Sequence, residues 1–188
     1  MGDYNYGSNS ATVEAGNGVG NTIYGPVSAT ATQDVGSDHF GWGGFGGDTN
    51  MGQNGAANIS GNGVGNTIYG PVSATAHQDV GSDHFGWGGF GGGDVNMGQN
   101  SALNTSGNGV GNTIYGPVSA TADQHVGSDH FGSGPLSFGG FPGVGDINIG
   151  VNTAVNASGN GAFNQLGATS ADAHQDIGST HSLPLFPF

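Results

Sequence analysis

The sixteen residues GNGVGNTIYGPVSATA occur at 16–31, again at 61–76 and again at 107–122, without one difference. An enzyme needs one site, and copying it does not sharpen it. A structural array needs the same surface many times over. The copies sit inside longer units, each opened by an aspartate: 3–47, 48–93, 94–145 and 146–188, within a single array spanning 1–188. Units of this size at a near-constant period signal a solenoid, propeller or array. The third unit carries an insertion, SGPLSFGGFPGVG, of the kind that belongs in a loop.

Composition decides how such an array can be held together. Of 188 residues, 42 are Gly and 19 are Asn, and 34% are hydrophobic. Globular domains carry about 45–50%. A conventional apolar core is therefore thin, and hydrogen-bonded stacking of repeats is the natural substitute. The chain has no Lys or Arg and a formal net charge of −13. Binding to phosphate needs cations, so nucleic acid and anionic membrane surfaces are excluded as partners. Divalent cations and assembly at acidic pH remain allowed. There is no Cys, hence neither disulfide nor thiolate site. No apolar run is long enough for a membrane span. The start MGDYNYGSNS lacks the basic and apolar blocks of a conventional signal peptide, so removal of one, or export through the C-terminus, is expected.

The first part of each unit alternates with period two, which argues for β-strand. In DTNMGQNGAANIS, one face carries Asp48, Asn50, Gly52, Asn54, Ala56, Asn58 and Ser60. The other carries Thr49, Met51, Gln53, Gly55, Ala57 and Ile59. Thirteen residues are long for one strand, so a bend near Gly52 is expected. SGNGVGN reads as a turn. TIYGPVSATA reads as a second strand region broken at Pro26, and GSDHFGWGGFGG as a loop. The expected fold is all-β: a repeat protein of stacked β-solenoid or cross-β-like units.

Superimposing the units brings like residues into columns. Asn5, Asn50, Asn96 and Asn148 align, as do Asn9, Asn54, Asn100 and Asn152. Further columns hold Asn58, Asn104 and Asn156; Asn17, Asn62, Asn108 and Asn160; and Asn21, Asn66, Asn112 and Asn164. Stacked in register at about 4.8 Å, each set is expected to form an amide ladder. Asn and Gly also mark turns, which suits SGNG but not the alternating Asn run. Two further positions read His77 and Asp79, then Asp123 and His125, then His174 and Asp176. The order swaps between units, so stacking sets each histidine against a carboxylate.

Signals for chemistry are weaker. Ser37-Asp38-His39 recurs as Ser82-Asp83-His84 and Ser128-Asp129-His130, but adjacent residues of an extended chain point to opposite faces and cannot converge as a triad. No catalytic residue follows. His39, His84, His130 and His181 align as a column that could take Zn²⁺ or Cu²⁺, although solvated loop histidines are the expected reading. GGFGGD at 43–48 matches the start of a calcium-binding nonapeptide without its tandem copies. No cofactor is expected. The aromatics Phe40, Trp42 and Phe45, with Phe85, Trp87 and Phe90, are expected to pack on the sheet or between filaments.

The alternating stretch NMGQNGAANISGNGVGN resembles the Asn/Gln/Gly repeats of bacterial functional amyloids, the curli and Fap-type fibre subunits. The resemblance covers mainly the first 20 residues of each unit and lies at the level of architecture. It implies internal amide ladders along a stacked β-solenoid, and subunits that polymerise into extracellular biofilm fibres. The expected function is a secreted structural subunit, found outside the cell or on its surface, whose partner is itself in a head-to-tail homopolymer. The apolar end SLPLFPF could dock on a neighbour. The rival expectation is a secreted monomeric adhesin that depends on divalent cations.

Overall fold

In a computed structural model of the chain, which describes residues 2–36, 38–42, 47–87, 93–132, 146–178 and 180–182, all regular elements are β-strands. Unit one supplies β1 (Tyr4–Ala15), β2 (Gly18–Val19), β3 (Thr22–Tyr24), β4 (Val27–Val35) and β5 (His39–Trp42). Unit two repeats them as β6 (Thr49–Ser60), β7 (Gly63–Val64), β8 (Thr67–Tyr69), β9 (Val72–Val80) and β10 (His84–Trp87). Unit three gives β11 (Val95–Ser106), β12 (Gly109–Val110), β13 (Thr113–Tyr115), β14 (Val118–Val126) and β15 (Asp129–Gly132). Unit four gives β16 (Ile147–Asn156), β17 (Gly161–Ala162), β18 (Gln165–Leu166), β19 (Thr169–Ile177) and β20 (Thr180–Ser182).

Each strand pairs in parallel with its counterparts in the neighbouring units, which makes five four-stranded sheets with the units in order. One unit is therefore one rung. The register runs without slip from Tyr4↔Thr49 to Ala15↔Ser60 and from Val27↔Val72 to Val35↔Val80. It resumes at Val95↔Ile147 across the insertion, whose residues 133–145 lie outside those described.

The two long sheets, β1-β6-β11-β16 and β4-β9-β14-β19, pack face to face. The second contributes an inner row of Val, Ala, Ala, Gln and Val in each of its first three strands, all buried. The first contributes its Asn, Gly, Ala and Ser face; Asn50, Asn58, Asn96 and Asn104 are wholly buried. Alanines of both sheets form the central cluster, including Ala56, Ala74, Ala102 and Ala120. The first sheet thus turns its amide face inward and its apolar face, with Tyr4, Tyr6, Ile147 and Val151, outward.

The sheets are offset by half a rung. β4 lies against both β1 and β6, β9 against β6 and β11, and β14 against β11 and β16. β19 packs on β16 and, among the described residues, has no first-sheet strand beyond it. The stack consequently begins with a projecting β1 and ends with a projecting β19.

Three expectations about local structure are corrected. β6 continues through Gly52 without a break. Gly52 is there for space: a Cβ would lie 2.7 Å from Gln78 Nε2 and 2.9 Å from Val80 Cγ2. The stretch read as a turn contains β2 and its equivalents, and the stretch read as a loop contains β5, β10, β15 and β20. Stacking explains both, because each buried or half-buried peptide group finds a partner in the next rung. The break at Pro26 is present, between β3 and β4.

Rung spacing is most demanding at Gly36, Gly81 and Gly127. A Cβ on Gly81 would lie 1.6 Å from the Gly127 carbonyl oxygen, so a side chain there forces two backbones apart. Gly81→Ala is expected to lower stability by about 3 kcal/mol or more, measured by urea unfolding followed by circular dichroism. A midpoint within error of the parent would show that the rungs are not in this register.

Candidate functional site

The residue columns are not equivalent. Asn5, Asn50, Asn96 and Asn148 form a continuous side-chain ladder, with each Nδ2 donating to the next Oδ1 at 2.8 Å. Asn54 donates to Asn100, and Asn100 to Asn152, at 3.1 Å, while the same amides donate to second-sheet carbonyls of two rungs. Asn9 begins this column and donates to the Thr32 carbonyl.

The column of Asn58, Asn104 and Asn156 departs from the expected ladder. These amides donate across the interior to the second sheet: Asn58 to the carbonyls of Val27 and Ser73, Asn104 to those of Val72 and Ser119, Asn156 to those of Val118 and Ser170. The half-rung offset places two carbonyls within reach of each Nδ2, which orients the amide away from its like. The Oδ1 atoms of Asn58 and Asn104 are buried without a hydrogen-bond partner. Unit one has Val13 at this position.

The two remaining columns stitch the corner. Oδ1 of Asn17, Asn62 and Asn108 accepts the backbone N–H of Asn62, Asn108 and Asn160 in the next rung. Oδ1 of Asn66, Asn112 and Asn164 accepts the N–H of Asn21, Asn66 and Asn112 in the preceding one. The positive φ of Gly18, Gly20 and their equivalents bends the chain between them.

Two further columns are built from residues other than asparagine. Gln175 donates to Gln124, Gln124 to Gln78 and Gln78 to Gln33, in the interior opposite the glycines at 52, 98 and 150. Their signal is a glutamine held constant between the two swapping His and Asp positions. Oδ1 of Asp48, Asp94 and Asp146 accepts the N–H of Asp3, Asp48 and Asp94. The aspartates that mark the unit boundaries are thus structural, and Asp48 and Asp94 are buried. Outside, Tyr24, Tyr69 and Tyr115 stack with centroids 5.1 and 5.0 Å apart and planes within 10°. Parallel in-register stacking imposes that geometry on any aromatic column.

The swapped residues face one another as pairs. The register sets His77 and His174 against Asp123, and Asp79 and Asp176 against His125. His77 Nδ1 lies 3.2 Å from Asp123 Oδ2, and His125 Nδ1 3.7 Å from Asp176 Oδ2. Asp79 sits between rungs. Loss of solvation pushes its carboxyl above the ordinary range; the histidines 125 and 77 oppose that shift, and Asp34 and Asp83 add to it.

His84 is in backbone register with His39 and His130, and His130 with His181. The side chains of His84, His130 and His181 lie outside the description. His39 Nε2 is 2.9 Å from Asp48 Oδ2 and 3.7 Å from Asp3 Oδ2. Among the described residues, no group of three His, Asp or Glu side chains is arranged to hold a metal ion. Residues 43–46 of the GGFGGD calcium motif, Phe90 and the tail at 183–188 fall outside the description, while its Asp48 lies against His39 as above.

The two ends of the stack differ from its interior. On β14, Val118, Ala120, Ala122 and Val126 are 0% exposed, whereas every residue of β19 is exposed. β19 is the edge strand of its sheet and, among the described residues, has no further strand of the first sheet to cover it. No protein-family model matches the chain, and no curated protein or solved structure is significantly similar to it.

Two outcomes test the charged face. Exchanging Asp123→His with His125→Asp keeps composition but sets like against like. It is expected to cost about 0.2–1 kcal/mol per broken pair; unchanged melting would make the face merely solvated. A carboxyl with a raised folded pKa withdraws stability as pH rises from its unfolded value, about 3.9, through the folded one. Asp79→Asn should accordingly stabilise the stack by up to about 0.5 kcal/mol at pH 7 and bring no gain at pH 3, read from thermal melts at both values.

Proposed function

We propose that the protein is a structural subunit that polymerises head to tail into a fibre, outside the cell or on its surface, as the functional-amyloid resemblance implies. Its partner is a second copy of itself. The reading assigns it no catalytic residue and no resident cofactor. The observation that carries it is the half-rung step. The projecting β19 of one copy offers the inner row Thr169, Ala171, Ala173, Gln175 and Ile177, which matches the row buried in each earlier unit. The projecting β1 of the next copy offers Asn5, Gly7, Asn9 and Ala11, the row that covers such a strand inside the stack. Asn9, by analogy with Asn54, Asn100 and Asn152, would donate to the carbonyl of Ala173. Strand steps that remain uncovered at both ends add copies until something caps them.

One observation favours the rival reading, a self-contained monomeric binding module. Val13 replaces, in unit one alone, the asparagine that would reach a preceding rung. Such a replacement is what a capped end requires.

Gly178→Ala separates the two readings. The equivalent Cβ atoms at Gly36, Gly81 and Gly127 would each lie within 1.6 Å of the next rung's carbonyl oxygen, whereas at Gly178 nothing among the described residues lies within 4 Å. The substitution should leave the single copy folded, with unchanged circular dichroism and melting, yet block the joint. The parent protein should form unbranched filaments with a meridional repeat near 4.8 Å, growing faster as pH falls from 7 toward 5 and the net charge is reduced. A parent that stays monomeric at high concentration across pH 4–8, or a Gly178→Ala protein that polymerises as well as the parent, overturns the proposal.

A further inference from the structure

The outer face of the first sheet is a second interaction surface, one that the head-to-tail joint does not use. Its rows read Tyr4, Tyr6, Ser8, Ser10, Thr12, Glu14 in β1 and Ile147, Ile149, Val151, Thr153, Val155 in β16, with β6 and β11 between. Apolar character rises from unit one to unit four. Ile147, Ile149 and Val151 are each about half exposed, and Leu103 and Val155 are exposed beside them. Of the 13 carboxylates of the chain, Glu14 alone falls on this face. The outer face of the second sheet carries Asp34, Asp79, Asp123, Asp172 and Asp176.

We infer that two stacks associate back to back through this first-sheet face, the occupant being a second copy of the chain. Charge selects the surface. Between two molecules of net charge −13 and no cation, this is the broad face that can close without aligning carboxylates. Size permits it. Four strands of up to 12 residues cover about 40 by 19 Å, or about 750 Å² on each partner, close to the roughly 800 Å² per partner of a stable interface.

Shape fixes the symmetry. A two-fold axis parallel to the stack keeps rung against rung and reverses strand direction, giving an isologous contact. Met51 then meets Ala57 of the second copy, Gln53 meets Gly55, Gln99 meets Ser101 and Ile147 meets Ala157, while the apolar pairs Met97 with Leu103 and Ile149 with Val155 close the centre. Glu14 meets Tyr4 rather than its own copy. Both stacks point the same way, so pairing leaves their ends equivalent.

The test uses full-length Gly178→Ala protein, in which head-to-tail growth is blocked, so that failure of the fibre reading and failure of this one are distinguishable. Sedimentation equilibrium should find a dimer. Adding Val151→Asp should give a folded monomer, because two carboxylates then meet near the two-fold axis. Mixing equal amounts of the Val151→Asp and Val151→Lys proteins should restore a dimer, a rescue that a merely misfolded variant cannot produce. A Gly178→Ala protein that is monomeric at high concentration overturns the inference, as does a dimer that survives Val151→Asp. So does a monomer that binds phosphatidylcholine vesicles through this face, which would make it a lipid or interface contact. A parent that forms no filaments but still dimerises leaves this inference standing and removes the other.

Discussion

Everything in this fold depends on a buried residue meeting its own copy one rung away. A buried amide without a partner costs about 1–3 kcal/mol, and the interior holds rows of them. Asn50 has Asn5 above and Asn96 below; Gln78 has Gln33 and Gln124. One unit alone could satisfy none of these contacts. Within the sixteen identical residues the same requirement holds at Asn62 and Asn66, where a change in one rung disturbs the bonds of both neighbours. The small residues follow from it too. Alanine and glycine face the glutamines and asparagines, so the sheets approach closely enough for Asn58 and Asn104 to bond across the gap.

Much of this was legible in the chain because register turns period directly into contact. The unit boundaries, the alternation, the asparagine columns and the opposed His and Asp positions all follow from stacking identical segments. What could not be read is equally physical. The pattern shows two faces of β6 but not which one is inside. Ordinary apolar burial would choose Met51 and Ile59 over Asn50 and Asn54, and the stack does the opposite. It can do so since an amide ladder satisfies polar groups that a single-copy core would leave unpaired. Nor does one-dimensional alignment contain the half-rung offset. That offset turns Asn58 away from Asn104 and toward carbonyls of the other sheet, and it also creates the steps at the ends.

Unit four is the least faithful copy, and its departures cluster where no further rung covers it. Phe163 stands in the column of Gly20, Gly65 and Gly111, with φ of 59° and its side chain 88% exposed. A non-glycine residue in that conformation is strained. The tyrosine stack stops at Tyr115, since unit four has Gly167 after Leu166 where the other units have a tyrosine. Unit one departs too, at Val13 and Thr32. Interior rungs answer to two neighbours and terminal rungs to one, so sequence identity is highest where the constraint is double. The same asymmetry means that a joint between copies need not be as tight as a joint between rungs.

The direction of the ladders bears on how such a joint would form. Amides of the Asn5 column donate from unit one toward unit four, whereas those of the glutamine column donate from unit four toward unit one. The corner columns are likewise opposed: Asn17 accepts from the rung after it, and Asn66 from the rung before. Ladders pointing one way would add their dipoles and leave one end a row of donors and the other a row of acceptors. Opposed ladders cancel, and each end presents both kinds of group in a fixed pattern. An approaching copy that is inverted, or shifted by one residue along the strand, meets donors with donors and places glycine columns away from the glutamines that need their space. An approach in register would continue the columns of Asn5, Asn9 and Gln33 onto Asn148, Asn152 and Gln175. In the proposed fibre, the side chains that hold the rungs together would therefore also set the orientation of the joint.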